Sequence, residues 1–161
     1  MTADEFLAFC DTAPDNRRYE LIRGEVAISP LPTRPQGVIA AQVSSGFSES
    51  ARTVGYPAIG VGILLGRNPD TVRVPPVALF AGSCVFEELE NGFSEELPLL
   101  VVLIDTDDAT VSDYLSAGVP TVWVLNSSTR NLTEHGKPAP CAICYNAADF
   151  FRLPNQPPPS P

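Results

Sequence analysis

Leu99-Leu100-Val101-Val102-Leu103-Ile104, then Val111-Ser112-Asp113-Tyr114-Leu115-Ser116-Ala117-Gly118, then Thr121-Val122-Trp123-Val124-Leu125: these three stretches decide the fold. The first has six apolar residues with no polar alternation. That is strand length, and such runs lie at a sheet centre with both faces covered. Residues 111–117 carry a short helical pattern that Gly118 stops. The third stretch is a second buried strand. Strand, helix, strand at this spacing is a βαβ unit, so 99–104 and 121–125 are expected to be parallel neighbours.

Working toward the C-terminus, weaker strands are expected near 130–135 and 141–145, followed by a short Asp149-Phe150-Phe151 segment. Residues 154–161 hold Pro157-Pro158-Pro159 and read as a Pro-rich disordered tail, leaving 1–153 as one domain. Toward the N-terminus, Thr71-Val72-Arg73-Val74 and Val77-Ala78-Leu79-Phe80 read as a strand interrupted by Pro75-Pro76. Residues 56–65 form a glycine-spaced apolar run, read as one strand. Residues 37–54 carry Val38, Ala41, Val43 and Phe47 at helical spacing, with Gly55 as the expected C-cap. The three prolines in 29–35 make that stretch irregular. Tyr19-Glu20-Leu21-Ile22 and Glu25-Val26-Ala27-Ile28 flank Arg23-Gly24 and predict a tight hairpin. Thr2 and Glu5 fit a capping box that opens a helix reaching about Cys10.

Composition narrows function. The 161 residues include 10 basic and 19 acidic side chains, a net charge of −9, with one lysine (Lys137) and one histidine (His135). That balance disfavours tight non-specific binding to nucleic acid, which relies on Lys and Arg displacing counterions from phosphates, and disfavours an anionic membrane surface. The acidic start, Met1-Thr2-Ala3-Asp4-Glu5, lacks the basic and apolar pattern of a secretory leader. No apolar run approaches the roughly 20 residues of a membrane span. A cytoplasmic protein with reduced cysteines is the expectation.

Several stretches resemble one family. Phe6 with Arg18-Tyr19-Glu20-Leu21-Ile22-Arg23-Gly24-Glu25-Val26 is similar to the opening hairpin of the Uma-two family, within the PD-(D/E)xK nuclease superfamily. Residues 67–80, 97–104 and 113–124 resemble further segments of that family in the same order, and the likeness covers roughly residues 2–130. It implies an α/β, restriction-endonuclease-like fold: a mixed central β-sheet flanked by helices. It also implies a metal-dependent endonuclease chemistry and a homodimer.

That chemistry needs two carboxylates holding Mg²⁺ or Mn²⁺, hard cations that prefer oxygen ligands, and a lysine beside them. Matched position by position, the family's Asp falls on Pro76, its Glu on Leu103 and its Lys on Thr110; a family His falls on Gln36. The segment between Leu103 and Tyr114 is about two helical turns short. Of the usual polar set Glu25 remains. The expectation is therefore a pseudoenzyme with no intact catalytic residue, no cofactor, and DNA as a partner only where the family activity is retained.

Two alternatives stand beside it. In one, relocated carboxylates Glu25 and Asp105 hold the cation; Asp105 is two residues from Leu103, so strand alternation puts it on the same face. The blander reading makes 105–108 a polar turn with an Asp capping the next helix. Asp70 likewise reads as a turn residue after Pro69, and Arg73 as a structural strand residue or a surrogate charge that is unable to act as a base. In the other alternative, Cys141-Ala142-Ile143-Cys144 is a thiol or metal-binding C-x-x-C pair. A zinc site would draw further ligands from Cys10, Cys84 and His135.

Overall fold

A computed structural model describes residues 1–13, 17–83, 92–140, 143 and 145–153. Its elements in chain order are α1 (Ala3–Thr12), β1 (Arg18–Ile22), β2 (Glu25–Ser29), α2 (Arg34–Ser50), β3 (Gly55–Ile59), β4 (Ile63–Gly66), β5 (Thr71–Arg73), β6 (Val77–Ala81), β7 (Leu100–Ile104), α3 (Asp108–Ala117), β8 (Thr121–Asn126) and β9 (Asn131–Gly136), then a 3-10 turn at Ala147–Phe151.

The main sheet is five-stranded and mixed, in the order β3-β6-β7-β8-β9. β7 and β8 are parallel, with Val102 beside Trp123, and the other pairs are antiparallel. β7 is apolar at every position because both faces are covered. Leu100, Val102 and Ile104 pack with Val43 and Phe47 of α2 and with Trp123. Val101 and Leu103 pack with Val111 and Tyr114 of α3. The fold is thus a mixed α/β architecture with sheets flanked by three helices, as the βαβ reading implied.

A second, antiparallel sheet runs β2-β1-β5-β4. Its outer face is covered by α1, whose Ala3 and Phe6 meet Leu21, Leu64 and Val72. The capping box forms: the Thr2 hydroxyl accepts from Glu5 N and the Glu5 carboxylate from Thr2 N. Arg23 and Gly24 both have positive φ (51° and 80°), the geometry that joins two twisted strands by a two-residue turn.

Four expectations are corrected. The run 56–65 is two strands, β3 in the large sheet and β4 in the small one. Thr71–Arg73 and Val77–Ala81 likewise belong to different sheets, because Pro75-Pro76 offers no N–H to a ladder and the chain crosses over there. Helix α2 begins at Arg34, inside the stretch read as irregular. Thr33 caps it with Gln36 as box partner, and Pro35 sits in the first turn, where a missing N–H costs nothing. It ends at Ser50, so Gly55 opens β3 and is no helix cap. The expected tail at 154–161 lies outside the described residues.

Candidate functional site

Alternation along β1 sends Tyr19 and Leu21 toward α1, and Arg18, Glu20 and Ile22 to the opposite side. There they wall a cavity of about 550 Å³. Helix α2 closes another side with Gln36, Gly37 and Ala40. Arg73 ends β5 and Pro76 lies in the crossover after it, β7 contributes Leu103 and Asp105 follows it, and α3 contributes Thr110 and Tyr114. Pro76, Leu103 and Thr110, far apart in sequence, therefore converge on one space. Continuing the β6–β7 register, in which Val77 faces Val102, puts position 76 opposite position 103.

The carboxylates on this cavity are engaged. Asp105 leaves the strand in a left-handed conformation (φ 52°), so the alternation that would align it with Leu103 ends at Ile104. Its oxygens accept from Ser127 N (2.8 Å), Ser127 Oγ (2.7 Å) and Gln36 Nε2 (3.0 Å). Burial would push this carboxyl upward, but those donors hold it below the usual carboxylate range. Glu20 accepts from Val74 N (2.8 Å) and from Arg73 Nη1 (3.0 Å). Arg73 in turn grips Asp113 on α3 through Nε (3.2 Å) and Nη2 (2.6 Å). Burial works against its charge, but the Asp113 and Glu20 carboxylates more than compensate and keep its pKa above the ordinary value. Arg73 is a structural cation linking β1, β5 and α3.

Glu25 is exposed at the turn end of β2 and does not line the cavity, so Glu25 and Asp105 are not brought to one site. Asp107 caps α3, accepting from Thr110 N (2.8 Å). Asp70 is a buried turn residue that accepts from Ala3 N (2.8 Å) and Asn68 N (3.1 Å). Cys141 and Cys144 lie outside the described residues; Cys10 is an exposed free thiol.

Three cavity residues escaped the sequence reading. Glu20 was passed over in favour of Glu25, although alternation with the apolar Tyr19 and Leu21 was signal enough. Arg18 shares its face, and its buried Nε has no hydrogen-bond partner. Tyr114 is 1% exposed and makes no hydroxyl hydrogen bond among the described residues. Burial, then the nearby Glu20 carboxylate, raises its pKa well above the phenolic norm.

A divalent cation does not fit this donor set. Proline, leucine and threonine stand at the three expected positions, and no group of three or more His, Cys, Asp or Glu among the described residues is placed to hold a metal. No described helix is long and apolar enough to cross a membrane.

The protein is thus a mixed α/β domain with a cleft walled by α2, β7 and α3. The chain belongs to the Uma2 family, described as "putative restriction endonuclease", whose profile matches residues 3–160. In overall fold it is similar to the crystal structure of a "putative nuclease belonging to DUF820" from Anabaena variabilis. The TM-score is 0.71 at 16% identity, over 94% of this chain and 97% of that one. No curated protein matches the chain.

Proposed function

We propose that this chain is a non-cleaving member of its nuclease-fold family, one that keeps the scaffold and has lost the cation site. The observation that carries the reading is the convergence of Pro76, Leu103 and Thr110 on one cavity. None of the three supplies a charged oxygen, a base or a cation, and phosphodiester cleavage by this class needs all three functions within a few ångströms. The carboxylates that do reach the cavity, Glu20 and Asp105, are committed to neighbouring donors. A cytoplasmic location and pairing with a second copy of the chain are part of the same proposal, and sedimentation of the purified chain tests the pairing.

The deciding experiment incubates the purified chain with supercoiled and linear DNA in Mg²⁺ and in Mn²⁺. Cleavage is expected to stay at the protein-free level. Robust cutting that Asp105→Ala abolishes would overturn the reading.

A further inference from the structure

The cavity has lost its cation site but has not been filled in. Its walls are chiefly apolar, from Ile22, Ala27, Ile59, Val74, Pro76 and Leu103. Its size falls in the range of small-molecule pockets, roughly 300–1,000 Å³. Two of the side chains named above reach it with donors unspent. The Arg18 Nε is buried without a partner, and its guanidinium enters no ion pair with a described residue. Tyr114, 1% exposed, lines the same cavity, and no described residue hydrogen-bonds its hydroxyl, which differs from the Arg18 Nε in not being sealed off. Buried tyrosine hydroxyls and guanidinium nitrogens are normally hydrogen-bonded, and leaving them unmet costs stability.

The two donors lie at the same end. Glu20 is two residues from Arg18 on one face of β1, and Arg73 joins Glu20 to Asp113, the neighbour of Tyr114. Two cations, Arg18 and Arg73, meet two carboxylates, Glu20 and Asp113, at this end; Arg73 is spent on both carboxylates, and Arg18 is the cation whose donors stay open to a ligand. The remaining lining carboxylate, Asp105, is satisfied by Gln36 and Ser127. Ile28 and Ile59, 57% and 60% exposed, form an apolar rim.

We propose that the cavity binds a small apolar monoanion, a carboxylate carried on an aliphatic or aromatic body, with Arg18 and Tyr114 as head-group donors. Arg18 supplies a charge-assisted hydrogen bond and Tyr114 a neutral one. The apolar walls take the body of the ligand, and its burial supplies the driving force. The net charge of −9 selects a small monoanion over a polyanion such as nucleic acid. Residues 37, 40 and 41 of α2, Gly, Ala and Ala, keep the space open on the helix side; a Cβ added at Gly37 meets nothing within 4 Å.

The test is calorimetric titration of the full chain, without DNA or divalent cation, with 4-phenylbutyrate, its neutral amide and inorganic phosphate. Its failure therefore leaves the non-cleaving reading standing. Saturable one-to-one binding of 4-phenylbutyrate is expected, with the amide and phosphate each weaker by about tenfold or more. Arg18→Gln is expected to weaken binding by about tenfold or more, and Tyr114→Phe, which keeps the ring and the packing, by several-fold. Gly37→Leu, at the cavity mouth, should abolish binding without loss of thermal stability. The proposal is overturned by no saturable binding, by equal binding of amide and acid, by phosphate binding as tightly as the acid, or by affinity unchanged in folded Tyr114→Phe and Gly37→Leu.

Discussion

Arg73 and Asp113, forty positions apart, are joined by two hydrogen bonds to a single carboxylate oxygen, from Nε at 3.2 Å and Nη2 at 2.6 Å. The same guanidinium holds Glu20 at 3.0 Å, with the three side chains 11–22% exposed. Removing the cation leaves two carboxylates facing each other with little solvent. Arg73→Met is therefore expected to destabilise the chain by about 2–4 kcal/mol, less than a fully buried pair because Asp113 is partly wet. Urea unfolding measures it. A loss under about 0.5 kcal/mol would mean the triad is a surface ion pair without structural weight.

Acid sensitivity follows from Asp70 and Asp105. Backbone donors from Ala3 and Asn68 hold the Asp70 carboxyl below its ordinary 3.8 in the folded chain. Asp105 is held low by Ser127 and Gln36 against the opposing effect of burial. A carboxyl with a depressed folded pKa adds stability that is fully present above its unfolded pKa and is lost as pH falls through the folded one. Stability is thus expected to drop below about pH 4. Asp70→Asn should be less stable than the wild type at neutral pH and equal to it in strong acid. A gap between the two that stays constant across the titration would show that Asp70 acts through packing alone.

Gly55 opens β3 opposite Ala81, and an added Cβ there would lie 1.7 Å from the Phe80 carbonyl oxygen, a backbone atom. No side-chain rearrangement relieves that clash. Gly55→Ala is expected to cost about 3 kcal/mol and to loosen the β3–β6 edge first. Amide hydrogen exchange at Tyr56, Ala58 and their β6 partners checks the location. Unchanged protection there would contradict the register.

The sequence resolved what local pattern controls and missed what partner choice controls. The β7–α3–β8 unit was legible because an apolar run, a helical stretch with its stop and a second run each speak for themselves. The hairpin was legible from Arg23-Gly24. The division of 56–65 between two sheets was not, because both halves are apolar and only the strands beside them, β6 for one and β5 for the other, decide their sheet. The start of α2 was readable in principle from Thr33 and Gln36 three apart, but the surrounding prolines outweighed that signal. At the site, the family likeness singles out Pro76, Leu103 and Thr110, and the fold places all three on the wall of one cavity. Glu25 pairs with Ile22 and so shares the face of Glu20, but it sits at the turn end of the hairpin, beyond the residues that line the cavity, and that distance is not legible in the motif.

Extending the β6–β7 register one step beyond Val77 and Val102 sets Pro76 across from Leu103, and cross-strand neighbours on one face have Cβ atoms about 5 Å apart. That spacing suits two carboxylates sharing one cation, and the proposed loss of a metal site at these positions is open to a direct test. Pro76→Asp with Leu103→Glu is expected to create affinity for Mn²⁺ that the wild type lacks. The same pair should lower stability in the metal-free state by about 2–4 kcal/mol, because Leu103 is 4% exposed and a carboxylate there is desolvated beside a second one. Mn²⁺ binds the folded form preferentially, so it should recover part of that loss in proportion to its occupancy. Calorimetry and thermal unfolding with and without Mn²⁺ check the two halves separately. A folded double variant that binds Mn²⁺ no better than the wild type would show that positions 76 and 103 are not where this scaffold places its ligands, and the assignment of a vanished cation site to this cavity would fall with it.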